Sequence, residues 1–321
     1  MIWLTWRQHR IEASIVLGAL ALLAALMVVT GIDMRTSYQQ LNIATCLNQL
    51  EPSQNCMDAL RAFRDQYSPW VNASEWLNLI PALLGILIGA PLVARELEHG
   101  TQRLVWTQSV TRWRWLAVKL LLVLGGCLVV AAALALLLSW WRQPWDTLEG
   151  RFSAGFDFEG PVLGGYVLFA LALAIAAGAL LRKAIPAMVV TLAAFLAVRV
   201  PVEFHFRGYY QPPLAVTFDP AGTAAAGLQL SNADWQVNSY FVDHVGHQIA
   251  DQQVYSTCLN SFASTKPSFL QCVHAHGWLF AELYQPANRY WTFQAIETAL
   301  FVALALGLLA LTVYWVRSRL S

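Results

Sequence analysis

Charge is what this 321-residue chain has least of: Asp, Glu, Lys and Arg make up 12% of it, where soluble proteins carry about 25%. With 57% hydrophobic residues and a mean hydropathy of +0.49, that shortage excludes a soluble globular protein and leaves a membrane protein. Lysine is confined to Lys119, Lys183 and Lys266, and the net charge is +1, so there is no global basic field and no basic stripe interleaved with aromatics for nucleic acid. No G-x-x-x-x-G-K-[ST] occurs, which excludes a P-loop nucleotide motor within the chain. H-E-x-x-H, G-x-S-x-G and C-x-x-C are missing too, which disfavours an intramembrane enzyme and gives no catalytic residue to name.

What is present is apolar sequence in long runs. A span needs roughly 20 apolar residues because its backbone polar groups must be satisfied internally. Six stretches qualify: 13–32, 76–94, 116–140, 160–181, 184–202 and 293–316. Trp76, Trp140, Trp141, Tyr166, Trp291 and Trp315 stand at their ends, as expected of headgroup-level aromatics. The first run is too long for a signal-peptide core and no A-x-A site precedes Asp33, so it is read as an uncleaved helix. The predicted fold class is an all-α polytopic membrane protein with six transmembrane helices.

Six spans put both termini on one side. That side holds residues 1–12 (an amphipathic segment), 95–115 with Lys119 at the helix end, the link 182–183 and the tail 317–321. It collects Arg7, Arg10, Arg95, Arg103, Arg112, Arg114, Lys119, Arg182, Lys183, Arg317 and Arg319 against Glu12, Glu96 and Glu98, about +8, leaving about −7 for the rest. By the positive-inside rule both termini are cytoplasmic. The cysteines agree: Cys46, Cys56, Cys258 and Cys272 fall in segments assigned outside, and Cys127 in the third span. An oxidising exterior permits disulfides; four cysteines allow three pairings, and sequence proximity favours Cys46 with Cys56 and Cys258 with Cys272.

The outer segments are 33–75, 141–159 and 203–292. Thr36 to Phe63 reads as a helical hairpin interrupted at Glu51-Pro52-Ser53 and pinned by Cys46 and Cys56. The last segment is long enough for a small cap if a disulfide helps it. It carries His244, His247, His274 and His276 with Asp243 and Asp251, a set that could ligate zinc only if folded together, so no metal is assigned. Asn72-Ala73-Ser74 matches a glycosylation sequon, without weight here. At membrane depth stand two ionisable residues, Arg199 and Glu297, a candidate intramembrane pair or vestibule lining for which Glu203 competes as the partner of Arg199. Gly125-Gly126 and, in the fourth span, Ala174 and Gly178 read as close helix packing.

Only one inner segment, 95–115, is long enough to engage a partner. It alternates charge with apolar residues and breaks at Gly100 into two short helical pieces, with Thr101 as an N-cap for the second. Its Arg95-Glu96-Leu97-Glu98-His99-Gly100-Thr101, then Leu104, Thr111-Arg112 and Lys119, resembles the ABC-2 class of ATP-binding-cassette transporter permeases. That class shows an acidic-x-acidic-x-Gly-Thr segment after the second helix, a Ser/Thr-Arg nearby and a Lys entering the third. Thr5-Trp6-Arg7-Gln8-His9-Arg10, Leu104-Val105-Trp106-Thr107-Gln108 and an Arg-over-Lys bias look like its actinobacterial branch.

The resemblance implies a membrane-spanning permease subunit of an ATP-driven exporter in a bacterial cell membrane. Arg95, Glu96, Leu97, Glu98, His99, Gly100, Thr101, Arg103 and Leu104 would couple it to a separate ABC ATPase subunit that binds ATP and Mg. It also implies a second permease copy, giving a homodimer, and alternating access for a small amphipathic or apolar cargo such as an antibiotic, peptide or lipid. The chain itself needs no cofactor. The alternative reading is a membrane sensor with a disulfide-held outer cap coupled to a cytoplasmic partner.

Overall fold

The computed structural model describes residues 2–47, 49, 53–99, 112–152, 155–219, 231–262 and 266–319. The chain divides into two compact units: Met1–Trp145 with Ala154–Glu203 and Thr292–Ser321, and Asp146–Ser153 with Phe204–Trp291. The long helices are α1 (Ile2–Gln40), α3 (Gln54–Ser74), α6 (Arg112–Glu149), α7 (Val162–Leu181), α8 (Ala184–Pro201) and α11 (Tyr290–Arg319). Between α1 and α3 lies α2 (Ile43–Leu47). From α3 the chain winds on through a 3-10 turn, α4 (Ile80–Leu84), a π-helical turn (Gly85–Gly89) and α5 (Ala90–His99). The second unit contains α9 (Asp251–Phe262) and α10 (Lys266–Ala275).

Six stretches are long and apolar enough to cross a bilayer: Gly18–Gln40, Gln54–Arg95, Leu120–Glu149, Val162–Leu181, Ala184–Tyr209 and Ala287–Val316. The chain is a polytopic helical membrane protein. Its helices overrun the apolar runs, because polar residues at either end continue the turn once the span has nucleated it. Thus α1 absorbs residues 2–12 and passes residue 32, and α6 carries helix into what reads as the loop 141–159. The outer hairpin breaks twice. Asn42 adopts a left-handed φ of 51°, and Ser53 caps α3 by accepting from the Cys56 N–H at 3.3 Å.

The first unit is organised around α7, which is apolar on every side and buried along most of its length. Small residues let its neighbours approach to backbone contact. A Cβ at Gly85 would lie 2.9 Å from the Ala170 carbonyl oxygen, at Gly89 2.8 Å from Ala174 Cβ, and at Gly178 2.9 Å from the Ala90 carbonyl oxygen. Ala90, Ala174, Ala177 and Ala187 continue the seam into α8. Gly125 and Gly126 take no part among the described residues: a Cβ there would meet none of their atoms within 4 Å, so the expectation of close packing fails at these two and holds at Ala174 and Gly178.

Two of the aromatics expected at headgroup level are buried instead. Trp141 lies over Gly31 of α1, where a Cβ would stand 2.8 Å from its ring, and its Nε1–H donates to Thr30 Oγ1 at 2.9 Å. Tyr166 is only 2% exposed, and its hydroxyl is hydrogen-bonded to Asp157 and Glu297. One turn of α6 is mended from outside: Pro144 has no N–H for the Trp140 carbonyl, and the Arg35 guanidinium of α1 donates to that oxygen while stacking 4.7 Å over the Trp140 ring. Arg35 also donates to Gln143 Oε1 at 2.7 Å.

In the second unit a four-stranded antiparallel sheet, order β1-β4-β2-β3, is formed by β1 (Leu214–Phe218), β2 (Trp235–Val242), β3 (Gln248–Ile249) and β4 (Leu279–Gln285). The segment 203–292 therefore contains strands that the reading of it as an outer loop or small cap does not specify. Phe241, Val254, Cys258 and Val273 make a small core between sheet and helices. The Cys258–Cys272 disulfide ties α9 to α10, and Cys46–Cys56 ties α2 to α3, the two pairings that proximity favours. Cys127 is free and buried.

Candidate functional site

Two places in the helical unit carry groups that packing alone does not require. The first is a buried charge cluster. Residues 155–159, between α6 and α7, are buried although their backbone is irregular, so their polar groups need partners. Gln294 of α11 supplies them. Its Nε2 donates to the Phe156 carbonyl at 2.6 Å and its Oε1 accepts from the Val162 N–H at 3.2 Å, which also caps α7, where Pro161 cannot.

That anchored turn brings Asp157 to Arg199 of α8. Arg199 Nη2 lies 2.6 Å from Asp157 Oδ1, and its Nη1 lies 3.1 Å from Glu203 Oε2 and 4.0 Å from Glu297 Oε1. The guanidinium sits 4.3 Å over the Tyr166 ring, whose hydroxyl reaches Asp157 Oδ1 at 3.1 Å and Glu297 Oε1 at 2.5 Å. Arg199 is 6% exposed and Glu297 0%. The predicted Arg199 and Glu297 are therefore brought together, but at 4.0 Å Glu297 is the most distant of three carboxylates from Arg199, and Asp157 is the closest partner. Sequence reasoning missed Asp157 because it lies in a segment that reads as an exterior loop, and missed Tyr166 because it reads as an interfacial aromatic. A buried network of this kind joins α7, α8 and α11 with directional contacts, and removing one member leaves the others uncompensated.

The second place is the far end of α5. Arg95 and Glu98 have exposed side chains there, and Glu98 Oε2 accepts from the Ala184 N–H, the first of α8, at 3.2 Å. The side chains of Glu96, Leu97 and His99, and all of Gly100, Thr101, Arg103 and Leu104, lie outside the described residues.

The histidines of the second unit do not converge. His247 pairs with Asp243 at 3.2 Å, His274 with Asp219, and His276 Nδ1 with the Cys272 carbonyl at 2.9 Å. Backbone N–H donation from His247 and Val245 holds the Asp243 carboxyl below its ordinary range. The one group with metal-ligand proximity among the described residues is Cys258, Cys272 and His276, and its two sulfurs are bonded to each other.

The model of the ABC-2 membrane transporter related family matches residues 17–207, more than half of the chain. The chain belongs to that family. No curated protein and no solved structure matches it. The match takes in both places except Gln294 and Glu297 of α11, and family membership makes the chain a transporter permease, a membrane transport component with several spans. Most of the sheet-bearing second unit lies beyond the matched residues.

Proposed function

We propose that this permease is the membrane-spanning half of an ATP-driven exporter, moved by a separate ABC ATPase subunit and working as a pair of permease copies. The observation that carries this is the family match across 17–207 together with the acidic-x-acidic-x-Gly-Thr pattern at Glu96 to Thr101. Without a P-loop lysine in its sequence, the chain depends on a partner for ATP and Mg. Residues 95–104 dock that ATPase on the basic, cytoplasmic face, and rigid packing of the spans passes its motion outward. Arg199 and Glu297 act as an intramembrane pair within the buried cluster that Asp157 and Glu203 complete. The cargo is amphipathic or apolar, since the spans carry few charges, and it leaves toward the acidic exterior.

The test is co-purification from native membranes followed by ATPase measurement. An ABC ATPase subunit retained with the permease, and stimulated by it, is expected; a chain that purifies alone and stimulates no hydrolysis overturns the reading. Glu96→Ala with Gly100→Leu should uncouple hydrolysis from transport at unchanged expression. A second reading, a sensor whose outer cap binds an envelope ligand, is favoured by the separate core and disulfide of the second unit. A ligand bound by that unit in the absence of any ATPase partner would select it.

A further inference from the structure

The link between α7 and α8 is two residues long, and its geometry leaves the start of α8 short of partners. Arg182 ends α7 in the left-handed region at φ 55°, and Lys183 precedes α8 in extended conformation without capping it through its side chain. Of the first N–H groups of α8, Pro186 has none and Ala187 bonds the Lys183 carbonyl at 3.3 Å. Ala184 and Ile185 remain. Glu98, from a different span, accepts from Ala184 at 3.2 Å and places a carboxylate at the positive end of the α8 dipole.

Glu98 is well placed to do this because Ala90, Ala94 and Glu98 recur every four residues along one face of α5. Ala90 and Ala94 are the residues that Gly178 of α7 meets at near-contact distance, and Ala90 also packs in the cluster containing Ala187. The small-residue seam holds α5 close, and the Glu98 contact at its end is directional. Sliding α5 along that seam would change apolar contacts smoothly, whereas the Glu98 bond holds only if the start of α8 moves with it.

We propose that Glu98 is a positioning residue that locks the start of the fifth span to the end of the second, so that displacement of the inner loop is delivered to α8 directly. The inference rests on the ATPase-coupled reading of the permease. Because Glu98 also belongs to the ATPase-facing set, the deciding variant is Ala184→Pro, which deletes the donor and leaves Glu98 in place. Proline is favoured at the first helical position, and Lys183 already has the extended backbone that a following proline requires.

A nitroxide on Val200→Cys reports on the other end of α8: Val200 is 43% exposed, and the native cysteines are buried or disulfide-bonded. The permease with its ATPase subunit in proteoliposomes is trapped with MgATP and vanadate, and the label population that shifts is measured beside the hydrolysis rate. With the native link the label shifts. In A184P hydrolysis and the thermal midpoint stay at the native level while the shifted population falls about tenfold, the weight of one charge-assisted hydrogen bond. Compared at equal hydrolysis rate, E98A/A184P is no worse than A184P in this readout. If A184P fails to fold, E98Q and E98A decide: E98Q keeps an acceptor oxygen and most of the shift, and E98A loses it. A full shift in A184P, or losses from E98A and A184P that multiply, overturns the inference alone. No stimulated hydrolysis with the native chain overturns the exporter reading and the inference together.

Discussion

The helical unit and the sheet-bearing unit solve the same stability problem with different means. In the helical unit, lipid removes most of the hydrophobic gain between helices, so cohesion comes from backbone contact at Gly85, Gly89 and Gly178 and from polar groups that cannot be left bare, Arg199 and Gln294 among them. In the second unit fewer than 100 residues build a small core around Phe241, Val254, Cys258 and Val273. The strands pair through a ladder, and a covalent bond between α9 and α10 closes the structure. A helix in lipid satisfies its own backbone and can be held by side chains at a few points. A short strand cannot.

The contrast predicts what breaks each unit. Replacing Arg199 by Leu removes the cation that Asp157, Glu203 and Glu297 share, an expected loss of roughly 3–5 kcal/mol. It should appear as a collapse of the thermal midpoint in detergent, with Cys258–Cys272 still formed by mass spectrometry. The double change Cys258→Ser and Cys272→Ser should remove about 3 kcal/mol from the second unit only, read as protease cleavage within 204–291 while the spans stay protected. Retained protease resistance would mean that the sheet needs no staple.

Gly178→Ala tests the seam. The added methyl would stand 2.9 Å from the Ala90 carbonyl, so α5 must retreat, at about 1–3 kcal/mol. Gly125→Ala, where a Cβ meets no described atom within 4 Å, should leave the thermal midpoint unchanged and serves as the control. The smallest effect belongs to the exposed β2–β3 turn. The Asp243 carboxyl is held below its ordinary value chiefly by the His247 N–H, so its contribution is present above the unfolded carboxylate range and fades as pH falls through its lowered folded value. Asp243→Asn should remove that acid-side dependence, measured by amide exchange at Val245 and His247.

Much of the first unit was legible in the sequence because a bilayer imposes one requirement, about 20 apolar residues per span, that a one-dimensional count detects. The disulfides were legible for a related reason: neighbours ten and fourteen residues apart meet before distant ones. The sheet was not. Its β1 and β4 lie more than sixty residues apart, and β2 loses its alternation at the register shift between Gln236 and Asn238, so neither period nor length marks it. In the charge cluster, Arg199 and Glu297 stood out because charges in an apolar run are conspicuous, whereas Asp157 was hidden among the charges of a presumed loop.

The sequence by itself determined that this is a membrane protein with six apolar spans and without a P-loop motif, and it favoured, among three, the cysteine pairing that the structure holds. Each follows from composition or spacing along one dimension. Only the tertiary structure decided that Asp157 is the nearest partner of Arg199, that Gln294 caps α7, that Arg35 mends the proline break in α6, and that Glu98 caps α8. These are contacts between elements far apart in the chain, selected by which orphaned donor or acceptor each helix brings within reach of another.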